Sequence, residues 1–293
     1  MSIYIYASSG NVWPAESQAP ELKDLVKSLW GKSYRRINHF IELTLVGARR
    51  CVDRTPNPIA AHCSLVFTTG QGNISQVANL TRQIYKDHQP PMPFAFMHIT
   101  NNMAPFYVAQ ALGLSSSNLT IAHRSFPFET ALNVATLQLQ APGSQCLVGA
   151  VDECAYPLEE HRQRLGLAPD TPLAEGSHWL MLGSDPQQAV AQLEFSYFCD
   201  ARQALSAQLA RHEWKSEEAV LSCGFGVTAQ EQQWWQEQLN IHRGYEYRQQ
   251  AAYHDTVTAY AVTSFIETHS KHTLIHIDKS KQQRYCAVGI KVL

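Results

Sequence analysis

Ser125 is the residue whose position invites chemistry. It stands between Thr120-Ile121, which read as strand, and a helical run from Phe128 to Gln140. A nucleophile at a helix N-terminus gains from the free amides and the dipole, by up to about 2 kcal/mol, or roughly one and a half pKa units. That populates a cysteine thiolate. It does not populate an alkoxide, for which an adjacent general base is needed. Without such a base the plain role for Ser125 is to cap the following helix. Arg124, immediately before it, adds bulk and charge.

The other reactive side chains are dispersed. The seven cysteines (Cys51, Cys63, Cys146, Cys154, Cys199, Cys223 and Cys286) form no C-x-x-C pair, which points to a reducing, cytoplasmic setting rather than a disulfide framework. The 13 histidines include no H-E-x-x-H, so no metal is expected. Cys146 and Cys223 sit in apolar runs and read as core side chains. Of the adjacent Trp234-Trp235, one is expected to pack inward and the other to mark a protein contact.

The elements that must position these residues follow from periodicity. The chain has 293 residues, 45% hydrophobic and 16% charged, with a formal net charge of −2. That is enough chain for a large core, with no basic excess for nucleic acid. No stretch approaches the roughly 20 apolar residues of a membrane span, and the opening MSIYIYASSGNVWP does not read as a signal peptide. The run IYIYASSGNVWP alternates like a strand. Residues 20–31 read as an amphipathic helix stopped by Gly31. Further helices are expected over 75–86, 101–112, 128–140, 200–212, 231–239 and 256–268. Strands are expected over 63–70, 146–151, 179–183, 191–198, 219–225, 272–278 and 285–293, the last two as a hairpin. This alternation predicts α/β layers and a mostly parallel sheet. One domain is expected, with halves of about 1–165 and 166–293.

Residues 111–132, ALGLSSSNLTIAHRSFPFETAL, resemble the nucleophile segment of the β-ketoacyl synthases, with Ser125 in place of the reactive cysteine. Other landmarks follow in family order. They are FTTGQG at 67–72, PFAF at 93–96 before Asn101-Asn102, LVGAVDE at 147–153 and AEGSHWLML at 174–182. The resemblance implies a thiolase-like five-layer α-β-α-β-α fold of two pseudo-repeated halves. It is a trimmed version: only residues 154–173 separate the VDE and AEG segments, and KSKQQRY at 279–285 replaces a glycine-rich loop.

The same resemblance carries the site. A ketosynthase holds its acyl chain on the cysteine and uses two histidines in the decarboxylative condensation. Here Cys223 (in CGFGV) falls at the first histidine, His254 (in YHDT) at the second, and Gln249 at a lysine. Three of the four catalytic positions are changed, so no catalytic residue is expected. The implied role is that of a degenerate, chain-length-factor-like subunit, as in aryl polyene, polyketide or fatty-acid-type elongation. It would form a heterodimer with an active ketosynthase and work on substrate carried by the phosphopantetheine of an acyl carrier protein, with no cofactor of its own. The segment Phe94, Ala95, Phe96, Met97 and His98, with Asn102, would reach across the subunit interface and line the acyl tunnel beside Arg124. The alternatives are an acyltransferase or hydrolase using Ser125 with His254, and a homodimer that only binds carrier-bound acyl groups.

Overall fold

The alternating N-terminal run forms the longest strand, β1 (Ile3–Pro14). The computed structural model describes residues 2–17, 21–215 and 217–293. Helix α1 (Leu22–Trp30) ends at Gly31, whose left-handed φ of 65° lets its amide return to the Lys27 carbonyl; glycine carries no Cβ penalty there. Helix α2 (His39–Val52) starts at Asn38, whose side chain accepts from the Ile41 amide. Then come β2 (Ser64–Thr69), α3 (Ile74–Tyr85), α4 (Pro93–His98), α5 (Met103–Leu112), β3 (Asn118–Ala122), α6 (Pro127–Gln138), β4 (Gln145–Asp152), α7 (Leu158–Leu165) and β5 (Ala174–Gly183). The remainder is β6 (Ala191–Cys199), α8 (Arg202–Leu209), β7 (Ala219–Cys223), α9 (Ala229–Leu239), α10 (Arg248–Ala251), α11 (Val257–Thr268), β8 (Thr273–Lys279) and β9 (Tyr285–Val292).

The strands form one nine-stranded sheet in the order β3-β2-β4-β5-β1-β6-β9-β8-β7. It is mixed, not mostly parallel. Only β2/β3, β2/β4 and β7/β8 run parallel, while β1, β5, β6 and β9 pair antiparallel throughout. Each half makes helix-linked parallel crossovers and is then closed by antiparallel strands that need no crossover. Strand β5 is hydrogen-bonded between β4 and β1. The halves join through the short ladder of Ile3–Ile5 on β1 with Ala191–Leu193 on β6.

Side-chain alternation along the strands splits the core into layers. Leu65 and Phe67 of β2, Leu147 and Val151 of β4, and Trp179 and Met181 of β5 face α1, α2 and α5. Val66, Val148, Leu180 and Leu182 face the opposite way, onto α6 and α11, which also receive Val220, Leu274, Val288 and Ile290 from the other half. The outer faces of β7, β8 and β9 pack on α8 and α9 through Leu205, Leu209, Trp235 and Leu239. The result is five layers, α-β-α-β-α, with α6 and α11 at the centre. Helices covered on both sides bury residues on more than one face, as α6 and α11 do, with Phe128, Ala131, Leu132 and Ala135 buried on the first and Ala259, Val262, Phe265 and Ile266 on the second. Strand β5, covered on both faces, is buried along its whole length. At Gly10 a Cβ would sit 2.5 Å from Thr263 Oγ1, so β1 and α11 touch backbone to side chain. Of the tryptophan pair, Trp235 is buried, and Trp234 stacks under the Arg202 guanidinium.

Among the described residues no helix is long and apolar enough to cross a membrane.

Candidate functional site

The central helix α6 aims its N-terminus at a cavity of about 310 Å³. Arg124, Ser125 and Phe126 enter it from the turn before α6, and Glu129 from the helix itself. Phe225 and Gly226 come from the loop after β7, Tyr253, His254 and Asp255 from the segment before α11, and Asp278 to Gln282 from the β8–β9 turn. Gly226 is required where it stands, since a Cβ there would lie 1.8 Å from the Lys279 carbonyl oxygen. The structure thus brings Ser125, Arg124 and His254 together around one space.

They do not form a reacting set. Ser125 does not cap α6: that position belongs to Phe126, which is left-handed (φ 56°) and makes no side-chain capping bond. Among the described residues Ser125 Oγ donates to Gln282 Oε1, at 3.4 Å, and His123 Nδ1 lies 2.7 Å from the Ser125 carbonyl. His254 turns its Nε2 to His178 Nε2, 2.9 Å away, and the two rings lie end to end with centroids 5.1 Å apart and planes 24° apart. Burial pushes the His254 pKa down to about 3, and it pushes His178 well down too, with the His254 charge adding to it. Both rings are therefore neutral at pH 7, and one donates its proton to the other. A base held this way is not set against Ser125. The His254 Nδ1 has no partner among the described residues. His178 stood in the AEGSHW run without a role; nothing local to either sequence segment signals a pairing across 76 positions.

Cys223 and Gln249 lie outside the cavity. Cys223 is packed against α8 and α9 in the outer layer, and burial lifts its thiol to about 12. It stands as a core side chain with no thiolate to offer. Gln249 is exposed on α10.

A buried carboxylate ties the halves together beside the cavity. Asp152, at the end of β4, accepts from Thr69 Oγ1 and the amides of Gly70 and Thr256 at 2.8–2.9 Å. Burial first, and then the nearby Asp255 charge, raise its pKa. Asp255 accepts from Gln71 Nε2 and the Tyr253 hydroxyl, both at 2.8 Å, with Arg124 Nε 3.9 Å away.

The proposed tunnel segment lies outside this cavity, packed against α3 and α5. Residues 93–98, taken above as an interface segment without assigned secondary structure, fold as α4 with Pro93 at its start, where a missing amide costs nothing. Phe94, Phe96 and Met97 are 47%, 59% and 49% exposed. Ala95 is half-buried, and His98 is buried against Phe94 and Tyr107. Asn102 is exposed at the start of α5 and its side chain caps nothing. It is the neighbouring Asn101 that packs inward, its Oδ1 accepting from the Asn73 amide.

No family model matches this sequence, and no curated protein resembles it closely enough to be counted. Solved structures do match. The ishigamide ketosynthase/chain length factor superimposes with a TM-score of 0.74 at 14% identity, over all of both chains. The AntDE:AntF structure, a type II polyketide synthase acyl-carrier protein in complex with its ketosynthase bound to the hexaketide, matches at 0.72 and 12% identity, covering 100% of this chain and 99% of the other. ChlB3, described as an acyltransferase, matches at 0.64 and 13%, covering 100% and 98%. The five layers, the α6 turn at the cavity and these superpositions together give the chain the thiolase-like fold of the ketosynthase and chain-length-factor structures.

Proposed function

We propose that this chain is a non-catalytic, chain-length-factor-like subunit that pairs with an active β-ketoacyl synthase and shapes that partner's acyl tunnel. The growing chain would be presented by an acyl carrier protein, in polyene or polyketide elongation of the aryl polyene type. The observation that carries the reading is the disarmed site. Oxygen stands at the nucleophile position, the histidine lining the same cavity, His254, is neutral and committed to another histidine, and the residue at the other histidine's place is a buried thiol. Condensation needs a thiolate and two imidazoles, and none of the three is available here.

The partner is supported by the edge of the sheet. Strand β3 has one free side, and Leu119 on it is 38% exposed. The helices packed on β3, α5 and α6, carry the exposed Phe106 and Leu137, and Phe94, Phe96 and Met97 are exposed on α4. An open strand edge with apolar residues is a template for pairing, and exposed apolar groups of this number belong to interaction surfaces.

Co-expression with an active ketosynthase encoded nearby should give a stable one-to-one complex that elongates carrier-bound chains, while this chain alone forms no carbon–carbon bond. Replacing Ala95 by Phe should shorten the products. A chain that stays free of every such partner removes the subunit reading. An acyl adduct on this chain that disappears in Ser125→Ala would instead establish acyl transfer by Ser125, and a stable homodimer would establish the carrier-binding alternative.

A further inference from the structure

The floor of the α6 cavity is wrong for an acyl chain. Glu129 reaches it from the first turn of α6 while only 1% exposed. The Cys286 thiol stands 3.5 Å from its Oε1, and Oε2 has no hydrogen-bond partner among the described residues. Asp278 lines the same space and accepts on Oδ1 from the Lys279 and Gly226 amides.

Among the described residues no cation forms an ion pair with either acid, although the charges of Arg248 and Lys279 pull the Asp278 carboxyl down against its burial. The three cations that line the cavity are engaged elsewhere. Lys279 Nζ is held by Glu231 at 2.8 and 2.9 Å. Lys281 Nζ donates to the Leu165 carbonyl. Arg124 lies against Asp255 and the Leu165 carbonyl. A buried carboxylate oxygen left without a donor, as Glu129 Oε2 is, is costly, and methylenes in this space would leave it so. The walls are different in kind: Phe126, Phe225, Tyr253 and Leu167 present rings and an aliphatic side chain. Acceptors at the bottom and apolar surface around them are complementary to a cationic head on a short hydrocarbon.

We propose that this cavity binds a small aliphatic ammonium, its head donating to the Glu129 and Asp278 carboxyls and its chain packed on Phe126, Phe225 and Tyr253. The assignment is independent of the partner subunit, since no residue of α4, α5 or β3 takes part. Burial, with the Asp278 charge behind it, keeps the Glu129 carboxyl near 7, so an arriving ammonium meets a group that ionises readily in its presence.

The test is calorimetric titration of the full chain with n-butylammonium chloride, with n-butanol and sodium butyrate as probes of the same length. The ammonium should bind saturably at one site, and the alcohol and carboxylate at least about tenfold more weakly, as loss of a charge-assisted hydrogen bond dictates. Glu129→Gln, nearly isosteric, should weaken the ammonium by a similar factor. The comparison among the three probes needs only the unaltered chain, so it stands even if that variant does not fold. Butyrate binding as tightly as the ammonium, no saturable ammonium binding, or undiminished binding by folded Glu129→Gln would each overturn the assignment.

Discussion

Phe126 holds a backbone conformation that its side chain does not favour. A left-handed residue with a Cβ costs roughly 1–2 kcal/mol, and a buried aromatic ring returns about 1.5–3 kcal/mol. The ring is 6% exposed, meets Phe198 edge to face at 6.0 Å, and forms part of the cavity wall. The turn that would present a nucleophile is thus kept, but what it buries is a hydrocarbon. This separates two substitutions that usually rank the other way. Phe126→Ala should lose the ring and keep the backbone strain, while Phe126→Gly loses the ring but relieves the backbone. Phe126→Gly is therefore expected to be the more stable of the two by about 1 kcal/mol. Urea unfolding of both variants measures the difference; Ala above Gly would mean that the turn relaxes out of the left-handed region.

Among the described elements, β3 is a terminal strand of the sheet with exposed residues along it. It has five residues, none fully buried, although it lies next to β2, which is buried throughout. Leu119→Lys puts a charge on the free edge, a substitution that natural sheets use to prevent pairing. Because Leu119 is exposed in the single chain, the change should alter the stability of that chain by no more than about 0.5 kcal/mol while abolishing co-purification with a ketosynthase partner. A complex unaffected by Leu119→Lys would move the interface elsewhere. Elements of this kind also mark what could be read from the sequence. Strand β4 and helix α1 were legible because an apolar run and a glycine stop are local signals. Helix α2 was not, although it packs on the centre of the sheet: in HFIELTLVGARRCV the apolar residues cover more than one face, so periodicity is blurred. The direction of the strands was illegible for a different reason. It depends on which neighbours pair, and the β1–β5 and β1–β6 ladders join residues far apart in the chain. At the site, the motif order placed Ser125, Arg124 and His254 around one cavity. The His178–His254 contact and the Glu129–Asp278 floor are tertiary facts with no motif.

Taken whole, the molecule buries ionisable groups of both kinds, and this fixes how its stability depends on pH. Burial raises Glu129 and Glu153 to about 7 and Asp278 to about 6, and raises Asp152 as well. For an acid raised on folding, the cost is absent below its unfolded pKa, near 4 to 4.5. That cost grows as pH rises, and it is complete once the folded pKa is passed. Burial lowers His254 and His276 to about 3 and His161 to about 4. For these the cost is absent above about 6.5 and grows as pH falls towards the folded values, because the unfolded chain takes up protons that the folded chain refuses. The two trends oppose each other between about 4.5 and 6.5 and nearly cancel there. Above that window the acids act together with His39, whose pKa the Glu175 contact raises against its burial, so that its stabilisation also fades as pH rises; below it the lowered histidines act, joined by Glu231, whose pKa the Lys279 contact holds near 2 against its burial. Thermal unfolding should therefore show a broad maximum in Tm around pH 5 to 6 and a decline of several degrees by about pH 8, at about 2–4 °C per kcal/mol for a chain of this size. Glu129→Gln removes one of the acids and should flatten the alkaline decline while leaving the acid side unchanged. A Tm that climbs steadily to pH 8 would show that water or a bound cation already satisfies the buried carboxyls in solution, and the alkaline limb would then reappear only when that occupant is removed.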